Sequence, residues 1–228
     1  MNNSTNKALL RQRRIMSYFI EAADEIIMEE GASAVTIRTV ADKAGYSSAT
    51  LYNYFDNLNH LIFLATMKHL DEYNDDVALL LKSQRNPLDL YLVVSECFCR
   101  HSFSAPEIYN LLFFHNQDGK IEEYTKQHYE LFGDQEKVPS ATFSKIIGVN
   151  NLHRRSLIML TDCAEEGYMS LEDATDLNEV AMLLYRSILT DVMDGKIGAA
   201  EATAKTMKYY RQLMGFYIKP KYRQLLEI

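Results

Sequence analysis

The chain has 228 residues, enough for one large domain or two modest ones, and its 47% hydrophobic content can fill a core. Four prolines and nine glycines argue against an all-β or loop-rich fold, and the odd set of Cys97, Cys99 and Cys163 excludes a disulfide framework and suits a reducing cytosol. The net charge of −7 is unevenly spread: residues 1–20 hold Lys7, Arg11, Arg13 and Arg14 and no acid, and the rest hold 20 basic and 31 acidic groups.

Such a basic head can meet phosphates while an acidic body stays beyond a Debye length of about 8–10 Å. The N-terminus lacks the apolar stretch of a signal peptide, and no apolar run is long enough to span a membrane. A cytoplasmic protein is expected.

The first predicted helix runs from about Leu9 to Glu30, with Ile15, Tyr18, Phe19, Ala22, Ile26 and Ile27 as its apolar stripe. Gly31 ends it. Thr36 is a natural N-cap for a second helix carrying Ile37, Val40, Ala41 and Ala44. Gly45 breaks that helix, as a sharp turn requires. Ser47 or Ser48 caps a third, short helix with Leu51, Tyr54 and Phe55. Two short helices around a glycine turn make a helix-turn-helix, whose second helix enters the DNA major groove.

A long helix is predicted from Asn57 to Lys82, suited to connect two domains. After Pro87, apolar residues from Leu88 to Phe103 cover most of a helix circumference, the pattern of a buried central helix. Ser104, Pro106 and Glu107 spell a capping box and a helix start. The helix it opens carries Ile108 to Phe114, and another spans Ile121–Phe132. Residues 133–150 are expected to form a loop with a short helix. Three helices follow, at Leu152–Glu166, Leu171–Asp194 and Ala199–Tyr217, with Ser170 and Asp173 as a capping box for the second. No strand-like alternation occurs. The fold expected is all-α, with nine or ten helices: a three-helix DNA-binding domain, residues 1–56, and a larger helical ligand-binding and dimerisation domain, residues 57–228.

The set Thr36, Val40-Ala41, Gly45-Tyr46-Ser47, Thr50-Leu51-Tyr52 and Tyr54-Phe55 resembles the TetR family of transcriptional regulators in order and spacing. Leu61 matches an apolar position of the next helix. One departure is Leu58, where the family usually has a lysine that grips a phosphate. The resemblance implies DNA contact at Thr36, Arg38, Ser47, Ser48, Ala49, Thr50, Tyr52, Asn53 and Tyr54. Hydroxyls of Thr36, Ser47, Tyr52 and Tyr54 can donate to phosphates, and Arg38, Ser48, Ala49, Thr50 and Asn53 are suited to base edges. The resemblance also implies a small-molecule pocket in the aromatic-rich middle of the chain. Phe98, His101, Phe114 and Tyr124 are its candidates, against simple core packing.

Amphipathic stripes on the last two helices, including Leu184, Ile188, Met207, Tyr210 and Met214, suit either the protomer's core or a homodimer interface built as a four-helix bundle. Cys97 and His101 share a helix face, but Cys99 points elsewhere, so a metal site would need help from another segment; none is expected. No catalytic motif and no cofactor motif appears. The function expected is a ligand-responsive regulator, a repressor that binds a palindromic double-stranded DNA operator as a homodimer and is released by a small-molecule effector. The alternative is a TetR-like co-regulator acting through a protein partner with little direct DNA binding.

Overall fold

The computed structural model of the protein describes residues 3–82, 85–114, 120–132 and 151–226. Among them are ten α-helices, two 3-10 segments and no strand. The helices are α1 (Asn3–Glu30), α2 (Ile37–Ala44), α3 (Ser48–Leu51), α4 (Leu58–Leu80), α5 (Pro87–Ser104), α6 (Pro106–Phe114), α7 (Ile121–Phe132), α8 (Leu152–Glu165), α9 (Leu171–Met193) and α10 (Ala199–Tyr217). None of them is long and apolar enough to cross a membrane. The loop expected over residues 133–150 lies outside the described residues.

Packing divides the chain into two compact units. One comprises Met1–Leu70 with Glu107–Val138, the other Asp71–Pro106 with Pro139–Ile228. The units therefore do not follow chain order, and α4 contributes residues to both.

In the first unit, α1 packs on α2, and α2 on α3. The buried face of α1 is Met16, Phe19, Ile20, Ala22, Ala23, Ile26 and Ile27. It is rotated slightly from the expected stripe: Tyr18 is exposed and Ile15 half-buried. Phe19 lies at its centre, 5.2 Å from the Tyr46 ring and 5.9 Å, edge on, from Phe55. Asp24 joins α1 to α4 through His69 and Lys68, and the Tyr109 hydroxyl donates to the His69 carbonyl at 3.2 Å. His60 stacks on Tyr124 with centroids 4.1 Å apart.

The capping box expected at Ser104 and Glu107 does not form. Ser104 is the last residue of α5, and α6 starts at Pro106. The Glu107 carboxylate instead accepts the Ala32 amide at 2.7 Å. Ala32 opens a 3-10 turn, so its amide has no partner inside that turn, and the charged Glu107 carboxylate satisfies it instead of capping α6.

In the second unit, α5 packs on α8 and α10, α8 on α9, and α9 on α10. The Tyr210 hydroxyl donates to the Ala181 carbonyl at 3.1 Å and Asn178 to the His153 carbonyl at 3.1 Å, tying α10 and α8 to α9. The Ser170–Asp173 capping box at the start of α9 is complete.

Candidate DNA-reading surface and cavity

The helix-turn-helix is assembled by local hydrogen bonds that the residue types dictate. The Thr36 hydroxyl accepts the Thr39 amide at 3.0 Å, and the Thr39 hydroxyl accepts the Thr36 amide at 2.9 Å. This reciprocal cap fixes where α2 begins. At the other end Gly45 takes φ 75°, a left-handed conformation that costs an L side chain strain. The Tyr46 amide then reaches back to the Ala41 carbonyl at 2.9 Å, closing the turn. Ser47 caps α3 by accepting the Thr50 amide at 3.2 Å.

Burial sorts the motif into two faces. Val40, Ala41, Leu51 and Phe55 are buried. None of the nine residues expected to meet DNA is: Thr36, Arg38, Ser47, Ala49, Tyr52 and Asn53 are exposed, and Ser48, Thr50 and Tyr54 are half-buried. Tyr52 is 60% exposed, a large ring left in water beside a packed core. The Ser47 and Thr50 hydroxyls lie 2.9 Å apart, so they form one polar point at the start of α3.

The charges here are selective. Arg38 is almost fully solvated, with only a loose 3.8 Å approach to Asp42. Lys43 lies 2.9 Å from Glu29 and 3.1 Å from Glu25. The Glu29 hydrogen bond, then that of Glu25, raises its pKa. Its charge is thus spent on α1. Arg11 and Arg14 are exposed near the start of α1, while Arg13 lies 6.0 Å from the Phe132 ring. Leu58, at the position where a phosphate-gripping lysine is usual, is the first residue of α4 and half-buried.

The second unit holds a partly open cavity of about 40 Å³. Arg155, Tyr73, Tyr91, Ser95, Ser156, Tyr185 and Tyr210 line it, with Phe98, Met159 and Met182. Arg155 is only 3% exposed. Burial pushes the Tyr91 phenol up to about 12, against the pull of Ser156 and Ser95. Burial likewise raises Tyr73 and Tyr210, with Arg155 opposing it at Tyr73. Tyr73, Tyr91 and Tyr210 therefore stay neutral hydroxyls. The space holds about three waters at most, so a larger guest requires side chains to move.

Of the four residues expected to line a pocket, Phe98 alone lines this cavity. His101 is turned to Asp76, with Nε2 2.9 Å from Oδ2. Phe114 and Tyr124 belong to the other compact unit. The polar members Arg155, Tyr73 and Tyr91 were not singled out from sequence, because helical period alone does not show which faces meet.

The five residues expected at a dimer interface are similarly used within one chain. Ile188, Met207, Tyr210 and Met214 are buried and Leu184 is half-buried. The apolar area of those four is covered by the protomer's own helices, and that of Leu184 only in part. The apolar side chains that α9 and α10 leave in water include Leu183, at 70% exposure, and Phe216, at 76%, with Leu171 and Met193 at the ends of α9 and the less exposed Val180 and Tyr209. All three cysteines are buried, and burial pushes their thiols up, to about 11 for Cys97 and about 12 for Cys99 and Cys163.

Among the described residues the regular structure is all helical and begins with a capped helix-turn-helix, the architecture of helical DNA-binding regulators. Residues 19–63 match the bacterial regulatory proteins of the tetR family. The chain is also 27% identical over 85 residues to the HTH-type transcriptional regulator HbdR of Aromatoleum sp. (strain CIB), a match spanning 37% of this chain and about a third (36%) of that regulator. Three solved structures share the fold. Thermus thermophilus FadR, a TetR-family repressor in complex with lauroyl-CoA, has a TM-score of 0.53 at 16% identity, over 86% of this chain and 92% of its own. A protein from Mesorhizobium loti MAFF303099 assigned to the TetR family gives 0.57 at 14%, over 92% and 99%. RolR in complex with resorcinol gives 0.54 at 14%, over 90% and 95%. At these identities the structural likeness speaks for the fold. The match over residues 19–63 identifies that stretch as a TetR-type helix-turn-helix region, and the fold of the chain is that of TetR-family regulators.

Proposed function

We propose that the protein is a ligand-responsive repressor that binds a palindromic operator as a homodimer and is released by a small molecule. The observation that carries this reading is the two-faced helix-turn-helix. Its core side chains are buried, and all nine candidate DNA contacts reach the surface. Thr36, Ser47, Tyr52 and Tyr54 anchor phosphates, and Arg38, Ser48, Ala49, Thr50 and Asn53 read base edges. Residues 1–56 form the DNA-reading part and residues 57–228 the part that senses ligand and dimerises.

A single helix-turn-helix reads one half-site, and two copies spaced about 34–36 Å read a palindrome. The exposed apolar side chains Leu183 and Phe216 support pairing through α9 and α10, with Leu184 at the margin. Exposed side chains of this kind are costly in water and favour a symmetric contact. The effector site is the cavity around Phe98, Tyr73, Tyr91 and Arg155. That two proteins of this fold hold small molecules, lauroyl-CoA and resorcinol, supports a ligand there. The effector acts by preferring the DNA-free conformation, and α4, which contributes to both compact units, carries the change. The protein works in the cytoplasm.

The test is a binding titration of the full chain on the DNA flanking its own gene, with footprinting. Two protected half-sites related by a dyad are expected, together with a dimer in solution. A ligand found by thermal-shift screening should bind more weakly when operator is present, by the same factor as it weakens operator binding. Equal ligand affinity in both titrations would contradict the coupling. The second reading, a co-regulator working through a protein partner, is favoured by two features: Leu58 in the phosphate position, and Lys43 held by Glu25 and Glu29. Salt-independent or absent duplex binding would select it.

A further inference from the structure

We propose that Asp76, Cys97 and His101 form a binding site for a divalent transition-metal ion of the zinc class. Cys97 and His101 are four residues apart on α5, so they project from one face of the helix, one turn apart. Asp76, on α4, supplies the third group from outside that helix. One donor atom from each residue lies within 4.8 Å of the other two. Among the described residues no other trio of His, Cys, Asp or Glu converges in this way.

The donor set selects the ion. A thiolate, an imidazole and a carboxylate together suit zinc, and a site of backbone and carboxylate oxygens alone would suit magnesium or calcium. Zinc bonds of about 2.0–2.3 Å put tetrahedral ligands roughly 3.3–3.6 Å apart. His101 Nε2 and Asp76 Oδ2 are now 2.9 Å apart and share a hydrogen bond. They need open only by a few tenths of an ångström to admit an ion between them. The Asp76 side chain is 54% exposed and free to adjust, and it leaves a path from solvent. Cys97 forms the buried floor. The Tyr73 ring stands edge to face with the His101 ring at 5.8 Å, which limits how far the imidazole can turn.

On binding, the Cys97 thiol gives its proton to solvent and its sulfur bonds the metal. The charge of the ion stabilises the thiolate that burial disfavours. His101 binds through the Nε2 lone pair, in the tautomer that carries its proton on Nδ1. Three protein ligands leave a fourth position for water or another group.

The experiment is a cobalt(II) titration of the full chain with its thiols kept reduced, followed by displacement with zinc. One equivalent per chain should bind, with a thiolate-to-cobalt charge-transfer band and the visible bands of a tetrahedral site; zinc should abolish both. Cys97→Ser should lose the charge-transfer band, and Cys163→Ser should keep it. Asp76→Asn, a change at a half-exposed side chain that leaves the fold undisturbed, should lose affinity for cobalt and zinc. A folded wild-type chain without the band would overturn the site, as would a band that survives Cys97→Ser or an affinity unmoved by Asp76→Asn.

Discussion

Asp24 on α1 holds His69 on α4 with 2.6 Å between Oδ1 and Nε2, and its other oxygen lies 3.3 Å from Lys68 Nζ. The carboxylate is nearly buried, so it depends on these partners. The contact clamps the long N-terminal helix to the middle of α4, the helix that leaves the DNA-reading region. A three-helix unit of this size has little core of its own, so such a brace counts.

The pair predicts a pH signature. Burial by itself raises the Asp24 pKa, but the His69 hydrogen bond and charge, then those of Lys68, outweigh it and hold the carboxyl below its usual range. A depressed acid stabilises the fold above the unfolded carboxylate value, about 3.9, and loses that contribution as pH falls through the lower folded value. Asp24→Asn should therefore cost about 1–3 kcal/mol at pH 7. Thermal unfolding followed by circular dichroism should show the gap to wild type closing below about pH 4. A gap that stays constant into acid would mean the charge of Asp24 is irrelevant.

His60 carries the opposite dependence. It is buried between Phe55 and Tyr124, and its Nδ1 accepts the Asp56 amide at 3.2 Å. Burial lowers its pKa, with Asp56 opposing. A base with a lowered folded pKa leaves stability intact above the unfolded value, about 6.5, and costs stability as pH drops below it, because only the unfolded chain takes up the proton. Urea melts of wild type should weaken between pH 7 and 5. His60→Asn keeps an acceptor near the Nδ1 position and should flatten that slope, at a packing cost of about 1–3 kcal/mol at pH 7. Equal slopes in the two proteins would reject His60 as the source.

Leu58 is the first residue of α4, one position after Asn57, whose side chain caps the helix by accepting the His60 amide at 2.9 Å. A lysine there should reach a phosphate. Leu58→Lys should tighten binding to any duplex and steepen the salt dependence by roughly one counterion per subunit. An unchanged salt slope in fluorescence anisotropy would show that this helix start stays away from the DNA backbone.

The parts of the fold that rest on local rules were legible in the sequence. Thr36, Gly45, Ser47 and Ser170 act within a few residues of themselves, and each does in the structure what its type suggested. The last helix spans Ala199–Tyr217 as expected, because Gly198 and the segment before Pro220 bound it. Contacts between distant segments were not legible. Periodicity showed that Cys97 and His101 share a face but not that Asp76 faces them. Glu107 reads as a local cap, yet it serves Ala32, 75 residues away. Phe98 and Tyr124 are equally aromatic, yet they belong to different compact units. The buried Arg155 was invisible for the same reason: an isolated arginine in a helical pattern normally reads as solvated.

The most direct test of the central claim is the affinity of the full chain for its flanking DNA, measured by anisotropy across a salt series, for wild type, Thr50→Ala and Tyr52→Ala. Both side chains reach the surface of the α3 region, and neither belongs to the buried core. Each variant should keep the wild-type melting temperature within a few degrees and weaken operator binding by about 1–3 kcal/mol. Wild-type binding should fall steeply with salt, as phosphate neutralisation requires. Unchanged operator affinity in both variants, with the fold intact, would contradict the assignment of this helix-turn-helix as the DNA-reading surface.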